Sequence, residues 1–232
     1  MTPVLIACSH GTSSMAGRAA ISAVVDRVRM LVPGVRVAEA FVDVQQPEID
    51  DVIAEVAPDE TAVVVPLLLS TGFHTKVDIA RAVRSAGGRA VASPALGPHD
   101  LLADLLAVRL AEAGLVPGDA VVLAAAGSSD PAASVDVTAM AELLAARVPV
   151  PVTVGFAAGA GTRIGAAVDA ARAAGASRVV AASYVLAPGH FADVISRAGA
   201  DIATGPLAPH DAVAAVVVNR YLATARSLTV AV

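Results

Sequence analysis

The feature that most constrains this chain of 232 residues is that it repeats itself. Leu96-Gly97-Pro98-His99-Asp100 returns as Leu207-Ala208-Pro209-His210-Asp211, after which Arg109 falls opposite Arg220. Further up, Ala7-Cys8-Ser9-His10-Gly11 matches Ala125-Ala126-Gly127-Ser128-Ser129, and Gly72-Phe73-His74 matches Pro188-Gly189-His190. A length that suits either one large α/β domain or two of roughly 115 residues is thereby resolved in favour of two. Val116-Pro117-Gly118-Asp119 is the natural joint, giving an N-terminal lobe over 1–116 and a repeat lobe over 117–232.

Within each half, short β-branched runs alternate with Ala-rich stretches. Strands are predicted at 3–8, 35–43, 62–69 and 90–93, with helices at 15–32, 48–56, 76–86 and 99–113. The second half predicts strands at 121–126, 152–157, 179–186 and 202–204, and helices at 133–148, 164–174, 191–198 and 211–225. This is an α/β fold of two similar lobes, each a mainly parallel four-stranded sheet flanked by helices. Hydrophobic residues make up 56% of the chain but aromatics only 3%, so Ala, Val and Leu must fill the core. Parallel strands buried on both faces have that composition.

A mean hydropathy of +0.71 raises the question of a membrane span. Every apolar run is cut by Pro, Gly or a charge before the roughly 18 residues a span needs. The start, Met1 to Cys8, has no basic segment before its apolar stretch, unlike a signal peptide. The expectation is a cytoplasmic protein with no membrane partner. Net charge is −5, and Lys76 is the sole lysine among 16 basic residues with no basic cluster, which argues against nucleic acid. The single cysteine, Cys8, sits in a strand and reads as a small hydrophobe.

In open parallel sheets, ligands bind beyond the carboxyl ends of the strands. His10 follows the first strand in Ser9-His10-Gly11-Thr12, and His74 follows the third in Ser70-Thr71-Gly72-Phe73-His74. The first and third strands of such sheets are commonly neighbours, which sets the two imidazoles across one cleft; Asp43, ending the second strand, reaches the same place. Two imidazoles and a carboxylate suit Fe2+, Co2+, Ni2+ or Zn2+, and a neutral imidazole also accepts protons near pH 7. The plain alternative for each is a capping or packing role. His99 and His210 recur before Asp at helix starts and read as a shared structural turn. In the second half Ser128 is set opposite His10 and Ala158 near Asp43, so that only His190 survives. The small-residue loop 155–161 misses the dinucleotide spacing and reads instead as a place where another backbone or a flat ligand approaches closely.

Leu5-Ile6-Ala7-Cys8-Ser9-His10-Gly11-Thr12, Phe41-Val42-Asp43 with Pro47, and Pro66 to His74 with Asp78-Ile79 resemble the class II tetrapyrrole chelatases of the sirohydrochlorin cobaltochelatase and ferrochelatase type, in their long, two-lobed form. The resemblance spans essentially the whole chain. It implies ATP-independent insertion of Fe2+ or Co2+ into sirohydrochlorin, for siroheme or cobalamin, with His10 and His74 as the metal-binding and proton-accepting pair. It also implies a bilobal fold with the tetrapyrrole between the lobes, no cofactor beyond the substrate metal ion, and a monomer that is a fused pseudo-dimer. Many relatives carry Glu where this chain has the shorter Asp43. A non-catalytic tetrapyrrole or metal-ion carrier is the competing reading, separated from the enzyme by turnover.

Overall fold

A computed structural model describes residues 2–72 and 75–230. In chain order the first repeat runs β1 (Val4–Ser9), α1 (Met15–Leu31), β2 (Val37–Phe41), α2 (Ile49–Ala54), β3 (Ala62–Pro66), a π-helical turn (Thr75–Ile79) leading into α3 (Ala80–Ser85), β4 (Ala90–Ala92) and α4 (Asp100–Glu112). The second runs β5 (Asp119–Ala125), α5 (Pro131–Ala145), β6 (Val152–Phe156), α6 (Ile164–Ala173), β7 (Arg178–Tyr184), α7 (His190–Ser196), β8 (Ile202–Ala203) and α8 (Asp211–Val230). The sheets have the orders β2-β1-β3-β4 and β6-β5-β7-β8, with every pairing parallel.

The order follows from the residues. All six positions of β1 and all five of β3 are buried, and both read as apolar runs, β1 up to its last residue Ser9, as strands covered on both faces must. Edge strand β2 is only half-buried over its first three residues. Helix starts are capped by side chains that accept the otherwise unpaired first-turn N–H groups: the Oγ of Ser14 takes the N–H of Gly17, and Asp130 takes that of Ala132. His99 and His210 do the same for α4 and α8, each Nδ1 accepting an N–H at 3.1 Å. That is the structural turn their repetition suggested. One predicted helix differs: the segment from residue 76 opens as a π-helical turn and becomes α-helical only at Ala80.

The compact units do not follow the order of the repeats. One comprises Met1–Leu96 with Pro209–Val232, the other Gly97–Ala208. In the first, α8 packs on α1 and β3, held by an Arg27–Asp211 pair at 2.8 Å and by Tyr221 Oη donating to the Pro3 carbonyl at 2.6 Å. In the second, α4 packs on α5 and β7, with Arg147 bridging Asp100 and Asp104. Each sheet is therefore covered by the final helix of the other repeat.

Candidate functional site at the end of the first strand

The β1–β2 ladder runs past the last strand residues. Val42 N–H donates to the Ser9 carbonyl at 3.0 Å and Asp43 N–H to the His10 carbonyl at 3.1 Å, so His10 and Asp43 stand side by side at the carboxyl end of the sheet. On the other side of β1, Leu67 N–H donates to the Cys8 carbonyl at 2.7 Å, which starts the loop after β3 beside the same strand end. The expected adjacency of the first and third strands is present. His74, with Phe73, lies outside the described residues. Among the described residues no three His, Cys, Asp or Glu side chains are gathered as a metal site.

The half-buried His10 brings Nδ1 to 3.1 Å from the Gly11 carbonyl. A carbonyl only accepts, so in the neutral ring this contact selects the Nδ1–H tautomer and gives Nε2 the lone pair that a metal or proton can take. Asp43 is exposed, with Oδ1 accepting the Val44 N–H at 2.7 Å. The two loops are locked together. Thr12 N–H donates to Gln45 Oε1 at 2.8 Å, and Gly11, at φ +88°, leaves no room for a side chain because a Cβ would lie 2.3 Å from the Asp43 carbonyl oxygen.

Cys8, fully buried two residues before His10, adds no ligand. Burial, reinforced by the charge of Asp78, pushes its thiol up to about 12, and only the thiolate binds metal well. Asp78 lies on the π-helical turn, a form that often marks functional positions.

The second unit repeats this geometry without its chemistry. Ala157 and Ala158 donate to the Ala125 and Ala126 carbonyls at 2.9 and 2.8 Å, and Gly127, at φ +85°, meets the Ala158 carbonyl as Gly11 meets Asp43. His10 is therefore matched by Ala126, not by Ser128 as the sequence alignment has it; Ala158 does take the place of Asp43. Glycine sets the register, because no other residue fits where the two loops touch. The small-residue loop 155–161 is used for close approach: a Cβ at Gly159 would lie 2.3 Å from the Ser128 carbonyl oxygen, and one at Gly161 would lie 2.7 Å from the Phe156 ring.

The CbiX family model matches residues 4–113 and again 120–224. The chain belongs to the CbiX family. No curated protein matches it by sequence. Among solved structures, SirB from Bacillus subtilis with Fe3+ superimposes with a TM-score of 0.80 at 22% identity, over 97% of this chain and 96% of that one. The sirohydrochlorin chelatase SirB from Bacillus subtilis subspecies spizizenii, in complex with cobalt, gives 0.76 at 21% identity over the same shares. CbiX, described as the terminal enzyme for biosynthesis of siroheme in denitrifying bacteria, gives 0.67 at 24% identity, over 95% of this chain and 98% of that one. These likenesses establish the two-lobed chelatase fold of this CbiX-family chain. None of its described helices is long and apolar enough to cross a membrane.

Proposed function

We propose that this chain inserts Fe2+ or Co2+ into sirohydrochlorin without ATP, as a sirohydrochlorin chelatase working in the cytoplasm. The observation that carries the reading is the pairing of His10 with Asp43 at the carboxyl end of β1, in a chain whose family model matches twice. The relatives of like fold hold iron and cobalt. Metallation replaces two pyrrole N–H protons by one dication, so the site must hold the ion and receive protons. His10, through Nε2, and His74 take both roles. Asp43 is auxiliary: its charge attracts the dication. The chain needs no cofactor beyond the substrate ion, and Ni2+ or Zn2+ also fit an N/N/O donor set.

The working site belongs to the repeat 1–116. The repeat 117–232 has Ala126 and Ala158 in the equivalent positions, and an alanine neither ligates nor accepts a proton. One chain carries both lobes, so a monomer suffices. The anionic tetrapyrrole is the only partner the function requires.

The test is anaerobic incubation with sirohydrochlorin and Fe2+ or Co2+, following the absorbance change on metallation. The parent accelerates insertion, while His10→Ala and His74→Ala lose most of it with unchanged circular dichroism. His190→Ala has a much smaller effect. Binding of sirohydrochlorin and metal without acceleration by any metal would make the chain a carrier instead.

A further inference from the structure

Val44 follows Asp43 and has φ +59°, the one positive φ among the described residues other than glycine. Gln45 N–H donates back to the Asp43 carbonyl at 2.6 Å, closing a three-residue turn centred on Val44, and Asp43 Oδ1 holds the Val44 N–H at 2.7 Å. Turns of this kind with positive φ are rare and strained, and a β-branched side chain is among the worst suited to them. The chain carries its own control. The equivalent residue of the second repeat, one beyond Ala158, is Gly159, with φ +72°. Both repeats thus need positive φ here, and the repeat without His10 and Asp43 meets the need with the residue that bears no strain.

Packing does not explain the valine. The residue is 51% exposed, so the fold gains little from its side chain, and the loop that bears it is already locked by Thr12, Gln45 and Gly11. Strain kept beside a functional position, without a packing return, points to a contact with something that binds there. We propose that the isopropyl group of Val44 is a substrate contact, packing on the apolar face of the tetrapyrrole and seating the macrocycle beside His10 and Asp43. The proposal rests on the chelatase reading. A flat, apolar ring with carboxylates at its rim is a ligand whose centre an exposed aliphatic group can grip without competing for the metal.

The test titrates metal-free sirohydrochlorin, followed by its absorbance, into the parent, Val44→Gly and Val44→Asn, with thermal melts and insertion kinetics alongside. Glycine and asparagine both accept positive φ, so both variants keep the turn. Each weakens sirohydrochlorin binding about tenfold, the value of burying roughly half an aliphatic side chain. Each raises KM for the tetrapyrrole with little change in the metal concentration for half-maximal rate, and Val44→Gly melts no lower than the parent. Unchanged affinity in both variants overturns the proposal and leaves the chelatase reading intact. A lower melting temperature in Val44→Gly also overturns it, by showing that the side chain serves the fold. A parent that binds no sirohydrochlorin removes both.

Discussion

Asp43 has two distinct uses. Its Oδ1 accepts the Val44 N–H, and its carbonyl takes the Gln45 N–H while pressing on Gly11. Charge and hydrogen bonding can therefore be separated by substitution. Asp43→Ala raises the metal concentration needed for half-maximal insertion without abolishing turnover. Asp43→Asn retains an oxygen to cap the turn, so any loss it shares with alanine is due to charge, and Asp43→Glu keeps activity. If alanine and asparagine both match the parent at limiting metal, Asp43 is a turn cap and the proposed site reduces to His10 and His74. The place of His10 at the strand end was legible in the sequence because a polar run with glycine directly follows an apolar strand. The slip that paired it with Ser128 arose because Ala-Gly-Ser letters align equally well in two frames. Only the absence of space at Gly11 and Gly127 decides between the frames. The conformation of Val44 had no sequence signal at all, since valine predicts extended backbone.

At the level of elements, periodicity placed the strands and helices, apart from the π-helical turn that opens the segment before Ala80, because buried parallel strands announce themselves as runs such as Val63-Val64-Val65. Less legible were elements set by contacts distant in sequence. Asp119 was read as part of a joint, yet it opens β5 with its side chain 2% exposed. It is tolerated there because its strand partner is Arg178, which donates to it from Nη2 at 2.7 Å and from Nε at 3.3 Å, while Val116 N–H adds a third bond at 2.9 Å. The Arg178 hydrogen bond, then that of Val116, holds the carboxyl below the usual carboxylate range. A depressed folded-state pKa contributes stability above the unfolded value and loses it as pH falls through the folded one. Asp119→Asn therefore melts below the parent at neutral pH, and the gap narrows as pH drops under about 4. A gap constant from pH 7 to pH 3 would deny the ion pair that role.

Across the whole molecule, the repeat was visible in the letters, whereas the exchange of final helices was not. α4 and α8 share the Pro-His-Asp start and an amphipathic pattern that does not name the sheet they cover. Burial does: Val213, Ala214, Val216 and Val217 have no exposed surface and Tyr221 has 1%. At about 1.5–3 kcal/mol for each large apolar side chain, their loss rivals the 5–15 kcal/mol that stabilises a typical domain. A chain stopped after Ala208 accordingly loses the structure of its first unit, and with it insertion, while residues 97–208 survive limited proteolysis as a fragment. Equal digestion of both units would refute the exchange. The same connectivity orders maturation on the ribosome, where chains fold in the direction in which they emerge. The second unit has all its parts once Ala208 is out, but the sheet bearing His10, though translated first, waits for α8. A chain terminated before α8 would thus finish the unit 97–208 and leave open the one that bears His10 and Asp43, so that the proposed site closes only after its partner unit is already built.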